Sequence, residues 1–238
     1  MPIDELKPGA RALIRENMPK LIVVSTIFVA IITVADGLNF RLLELGRVFD
    51  HVNERISDGE YISFGMFFSG FSPPAAAFAV VLWLLRQVVG VGFVNFCMRI
   101  NRKQDGRCIS ILHGFLYFTK IIILYVITTA LIILWSLLLI FPGIMAYYRY
   151  RQAFYILLDA PEKGIIQCIS ESKRLMAGNK LDLFLLDLSF IGWHILNLIV
   201  IISVPVPFAL PIVSIWLTPY IGLSRTAYYD RLVGILLV

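Results

Sequence analysis

Phe115 to Ile140 is a run of 26 residues carrying a single charge, Lys120, and it is the most hydrophobic stretch of the chain. As a helix it would be about 39 Å long at 1.5 Å per residue, longer than the roughly 30 Å hydrocarbon core of a bilayer. Such a run belongs inside a membrane or at the centre of a large soluble core. The rest of the chain decides between them. Of its 238 residues 59% are hydrophobic and only 16% charged, where a soluble domain carries about 25% charged. Its mean hydropathy is +0.82. A soluble globule would lack the charge to cover its surface, and disorder, a fibrous repeat and a small disulfide scaffold are excluded too. The fold class is therefore all-α: a polytopic transmembrane helical bundle.

Reading outward from that run, spans are expected near 20–36, 75–97, 115–140, 143–158, 181–203 and 211–224, about six in one membrane domain covering 1–238. Pro73-Pro74 marks the start of the second span, Phe141-Pro142-Gly143 is expected to break the chain after the third, and Pro219 to kink the last. The fourth is short, rich in tyrosine, and carries Arg149 and Arg151. Two further stretches have helical spacing with charges between the apolar positions and read as amphipathic interfacial helices. One is near 39–57 (Leu42, Leu45, Phe49, Val52, Ile56). The other is near 164–178 (Ile165, Ile169, Met176), with Gly178 as its C-terminal cap.

Charge sets the orientation. Lys7, Arg11, Arg15 and Lys20 precede the first span, and Arg99, Arg102, Lys103 and Arg107 follow the second. If residues 143–158 cross, these groups, together with Lys163, Lys173, Arg174, Lys180, Arg225 and Arg231, all lie on one side. By the positive-inside rule that side is the cytoplasm. The expected location is then the plasma (inner) membrane, multi-pass, with both termini cytoplasmic. The acidic residues ahead of the first span suit an uncleaved anchor better than a cleaved signal. A net charge of +5 is read as basic loops meeting anionic lipid rather than nucleic acid. Cys97, Cys108 and Cys168 make no metal or redox spacing and are expected as free thiols.

Polar groups inside spans are costly in lipid and must face protein or water. Arg86, Arg149, Arg151, Asp187, His194 and Asn197 qualify. Asp187 and His194 are seven residues apart and would share a helix face. They mark either a polar pathway or a hydrogen-bonded core, and the second is the plainer reading. Arg86 and Asp187, at depths of about 15 and 9 Å from the cytoplasmic ends of their helices, are expected to pair. Gly90 and Gly92 would line a close helix contact. Trp135 and Trp216 would sit in an interfacial belt, and Lys120 would snorkel.

The second half carries a recognisable pattern. "LWSLLLIFPGI" spans Leu134 to Ile144 and "YILLDAP" spans Tyr155 to Pro161. "SESKRLMAGNK" spans Ser170 to Lys180, and "LFLLDLSFIGW" runs to Trp193, with Pro219-Tyr220 beyond. This resembles the bacterial membrane-protein family catalogued as domain of unknown function 975. More distantly it is similar to the membrane domain of some glycerophosphodiester phosphodiesterases. The matching positions are Trp135, Pro142, Gly143, Asp159, Pro161, Ser172, Gly178, Trp193, Pro219 and Tyr220. The resemblance implies a helical membrane bundle and carries over no catalytic residue. Arg149 and Arg151 depart from the family pattern, which more often has small or neutral residues there.

No serine nucleophile motif, HExxH zinc motif or paired intramembrane aspartate motif occurs, and His51, His113 and His194 lie in distant segments. No metal, cofactor or catalytic residue is expected. The expected partners are the bilayer itself and either a second copy or another membrane protein. The reading is a non-enzymatic bundle, transporter-like, export-accessory or lipid- or partner-binding. The alternatives are a structural subunit of a membrane complex and a membrane enzyme acting on lipid.

Overall fold

The computed structural model describes residues 6–42, 56–57, 73–104, 113–203 and 212–236. Among these every regular element is a helix: α1 (Leu6–Glu16), α2 (Met18–Leu42), α3 (Pro73–Asn101), α4 (His113–Leu116), α5 (Phe118–Leu138), α6 (Ile140–Tyr150), α7 (Ala153–Asp159), α8 (Ile165–Leu175), α9 (Lys180–Leu188), α10 (Ile191–Ser203) and α11 (Ile212–Leu236). Four stretches are long and apolar enough to cross a membrane: Met18–Asn39, Pro73–Asn101, Phe118–Leu138 and Lys180–Ile199. Most of the first amphipathic stretch expected near 39–57 lies outside the described residues, as does Cys108.

The two remaining expected spans fall short for different reasons. Residues 143–158 divide at Arg151-Gln152 into α6 and α7, each too short to cross alone. α11 is 25 residues long, but Arg225, Asp230 and Arg231 dilute its hydropathy. Its polarity follows from its position. α11 packs against α1, α2 and α3 and buries Leu217, Tyr220, Leu223, Tyr228 and Leu232. A helix surrounded by protein need not be uniformly apolar. It runs unbroken through Pro219.

The α5–α6 turn corrects the expected break at Phe141-Pro142-Gly143. The chain leaves helical geometry two residues before Phe141, at Leu139 (φ −166°, ψ 153°). Pro142 lies in the first turn of α6, where a missing N–H costs nothing because those groups have no intrahelical acceptor. Gly143 then allows α5 and α6 to close: a Cβ there would stand 2.9 Å from Ser136 Cβ and 3.0 Å from its Cα. The tip of this hairpin is apolar and highly exposed, up to 81% at Phe141.

The expected close contact at Gly90 is absent, since a Cβ there would meet nothing within 4 Å. The close approach belongs to Gly114, whose added Cβ would stand 2.7 Å from Val88 O and 3.1 Å from Gly92 N. α8 buries Cys168, Ile169, Ser172 and Leu175 against α7, α6 and α5. Gln167 Oε1 accepts the Gly164 N–H at its start. Gly178 closes the following turn at φ +82°, a left-handed conformation suited to glycine. Cys97 and Cys168 are free and buried.

α1 was not foreseen in the sequence. Leu6, Ala10 and Ile14 fall on one face at four-residue spacing and are buried, and α1 packs on α11.

Candidate functional site

Two arginines from different helices converge on Asp187. α9 supplies the carboxylate, the α6–α7 junction supplies Arg151, and α11 supplies Arg225. Arg151 Nη1 donates to Asp187 Oδ2 at 2.9 Å, and Arg225 Nε donates to Oδ1 at 3.0 Å. Tyr148 OH reaches Oδ2 at 3.3 Å. Tyr147 lies four residues before Arg151, on the same helix face. Its hydroxyl accepts from Arg151 Nη1 at 2.7 Å, and the guanidinium carbon stands 5.0 Å from its ring centroid, a cation–π contact. Both carboxylate oxygens are engaged. The cluster holds two guanidinium groups for one carboxylate, so it carries one excess positive charge. Its side chains are 14% to 27% exposed, which makes it an interhelical clamp more than an open pathway.

This arrangement overturns the expected Arg86–Asp187 pair. Arg86 instead faces Asp36 on α2, Nε to Oδ1 at 3.4 Å. α3 packs with α2, α4, α5, α7 and α11, so Arg86 meets Asp36 on a direct neighbour. Asp187 takes Arg151 instead, although Arg149 and Arg151, two residues apart, would point to different sides of a regular helix. They do separate: Arg151 turns to Asp187, and Arg149 lines another cleft. Asp187 and His194 do not share a helix face either. The helix ends at Leu188 and restarts at Ile191, with Ser189 Oγ donating to Leu186 O in the break. His194 is exposed. Asn197 Oδ1 is buried without a hydrogen-bond partner among the described residues.

A second charged joint lies where α3, α7 and α11 meet. Arg102 bridges Asp159 Oδ1 at 2.5 Å and Asp230 Oδ1 at 2.7 Å. Asn101 Nδ2 donates to Asp230 Oδ2 at 2.6 Å, and Tyr229 OH to Asp159 Oδ2 at 3.2 Å. Hydrogen bonding to Asp159 raises the Arg102 pKa, against burial, and Asp230 adds to the rise. Burial and then Asp159 raise that of Tyr229. Beside this joint is a cleft of about 240 Å³ lined by Asp159, Lys163, Glu171, Arg174 and Tyr229. In it Lys163 is held charged by its hydrogen bond to Glu171, at 2.8 Å.

Two other hollows are less polar. A groove of about 580 Å³ runs between α2 and α3, lined by Ile31, Val34, Leu38, Leu82, Leu85 and Phe115 among others, with Arg86 as its charged member. A small cleft of about 110 Å³ lies between Trp135, Pro142, Met145, Ala146, Arg149 and Lys180. Among the described residues no group of three His, Cys, Asp or Glu side chains is placed to hold a metal.

Sequence reasoning missed Arg225, Tyr148, Arg102, Asp230 and Asp36. Arg225 and Arg102 were assigned to loops and counted only toward orientation. The available signal was that α11 keeps helical spacing through Arg225 to Tyr229.

Among the described residues every regular element is a helix and four helical stretches are long and apolar enough to cross a membrane, which defines a helical membrane protein. Residues 131–235 match the family described as "Protein of unknown function (DUF975)". No curated protein and no solved structure matches the chain, and the more distant likeness to the phosphodiesterase membrane domain is not shown.

Six of the positions that carry the resemblance fall at contacts between elements. Gly143 seats α6 on α5. Asp159 binds Arg102, and Pro161 O accepts from Lys120 Nζ at 2.5 Å. Ser172 Oγ donates to Arg149 O at 2.7 Å. Trp193 packs on Trp216 with centroids 5.5 Å apart, and Tyr220 packs on Phe190 at 5.1 Å. Trp216 is therefore part of a helix–helix contact rather than only of an interfacial belt.

Proposed function

We propose that this is a non-enzymatic, multi-pass membrane protein that binds lipid. The observation that carries the reading is the α2–α3 groove. Ile31, Val34 and Leu38, at helical spacing, leave 41% to 49% of their surface exposed, as residues facing acyl chains do. A cavity of about 580 Å³ beside them fits an acyl chain, with the Arg86–Asp36 pair as its polar end. Native mass spectrometry of the protein released from nanodiscs tests this. The wild type is expected to retain lipid adducts, and Val34→Trp with Leu85→Trp, filling the groove, to lose most of them. Undiminished adducts on the filled variant would sink the reading.

A second reading, a structural subunit, is favoured by the exposed tip of the α5–α6 hairpin. Cross-linking from position 138 to another membrane protein would support it.

The location we propose is the inner membrane of a bacterium, with both termini cytoplasmic. The lysine and arginine residues ahead of the first apolar helix support it. A cysteine placed at position 11 should label only from inside. Labelling from outside would reverse the orientation.

A further inference from the structure

We propose that the Trp135–Arg149–Lys180 cleft is a binding site for a phosphate group, supplied either by an anionic phospholipid or by free phosphate. Arg149 ends α6 and Lys180 begins α9, so two cations from different helices converge on one hollow of about 110 Å³. Among the described residues neither side chain has a hydrogen-bond or ion-pair partner. Two carboxylates of the same region are committed elsewhere: Glu171 holds Lys163 at 2.8 Å, and Asp187 holds Arg151 and Arg225. Two like charges lining one hollow favour an anion between them.

The chemistry of the walls narrows the anion. Arginine offers a planar fork of donors and lysine a point charge, the pair of groups that suits tetrahedral phosphate. Trp135, Pro142 and Met145 make the other wall apolar, and Trp135 and Met145 are 39% and 54% exposed. An indole beside cations on a lipid-facing surface is the arrangement found at headgroup depth. The hollow is too small for a whole metabolite and open enough for a phosphodiester whose chains run along the exposed α5–α6 hairpin.

The site is separate from the α2–α3 groove and does not depend on it. The test is thermal unfolding of the full chain in detergent with three probes: short-chain phosphatidylglycerol, short-chain phosphatidylcholine, and sodium phosphate against sodium chloride at equal ionic strength. Phosphatidylglycerol is expected to raise the melting temperature more than phosphatidylcholine does. Arg149→Gln with Lys180→Gln should weaken the half-saturating concentration at least tenfold, since each charge-assisted contact is worth about that much.

Arg149→Lys with Lys180→Arg should keep most of the effect, which separates lost charge from lost folding. If the double glutamine variant fails to fold, Lys180→Gln alone provides the comparison. A rise with sodium phosphate that shows the same variant dependence would assign free phosphate as the source. Equal half-saturation in wild type and the glutamine variants, or no rise with any phosphate probe, would overturn the site. The groove-filled variant should keep its phosphatidylglycerol response, so the two readings fail independently.

Discussion

Arg151 donates to Asp187 across the α6–α9 contact at 2.9 Å, and this bond ties the end of one helix to the last turn of another. Arg225 approaches the other oxygen of the same carboxylate from α11. Asp187→Asn should therefore leave two guanidinium groups sharing a neutral amide. Breaking a buried ion pair from one side costs about 3–5 kcal/mol. With Arg225 partly solvated, about 2–3 kcal/mol is expected here, read as a lower midpoint in denaturant. A double-mutant cycle with Arg151→Ala should show clear coupling. The cycle between Arg86→Ala and Asp187→Ala should be additive, because Arg86 faces Asp36.

Arg102 is the hub of the other joint. Arg102→Leu strands two carboxylates, Asp159 and Asp230, and removes the tie between α3, α7 and α11. The Arg102 side chain is 32% exposed, so solvent screens part of the loss and about 1–2 kcal/mol is expected. Lysine at this position should recover only a fraction, since one ammonium cannot reproduce the forked contacts to two acids. Thermal unfolding of the three proteins in one detergent measures the order. Lysine equal to arginine would mean that charge alone matters here.

Gly143 and Gly90 make a matched pair. Gly143→Ala places a Cβ about 3 Å from the backbone of Ser136, so α5 and α6 must part. Overpacking of this kind costs about 1–3 kcal/mol. Gly90→Ala enters open space inside a helix and should be neutral or stabilising by up to about 1 kcal/mol. Both are read as melting temperatures. A Gly143→Ala protein as stable as the wild type would mean that the hairpin is looser than this geometry.

The helical class and the four apolar crossings are legible in the chain because they rest on length and charge density, which lipid selects strongly. Helix junctions are less so. Pro142 looked like a break but stands in a first turn, where proline is accepted. The 181–203 run is uninterrupted in hydropathy yet stops and restarts around Ser189-Phe190. Pairing was the least legible feature. Depth alone suggested Arg86 for Asp187, while the actual partners follow from which helices are neighbours, and sequence spacing does not encode that. Arg225 and Asp230 were hidden by the assumption that charge after an apolar run means loop. α11 is polar because it is enclosed by protein.

α1 is the element whose contribution is easiest to underrate. It precedes the first membrane helix, and its mean composition is polar, yet Leu6, Ala10 and Ile14 are almost fully buried. Its cations also face the bundle. Arg11 Nε donates to Tyr220 OH at 3.1 Å, and Lys7 Nζ stands 4.8 Å from the Phe190 ring centroid. Tyr220 and Phe190 are themselves in edge contact, so α1 holds α11 and the α9–α10 break together. Ile14→Asp should bury a charge without a partner and cost about 3 kcal/mol or more. Tyr220→Phe keeps the ring and loses one hydrogen bond, an expected cost of about 1 kcal/mol. Protease accessibility of residues 6–16 in the intact protein distinguishes a clasped helix from a loose leader. The wild type should resist cleavage there and Ile14→Asp should not. Rapid cleavage of the wild type at Arg11 or Arg15 would show that α1 does not hold this position.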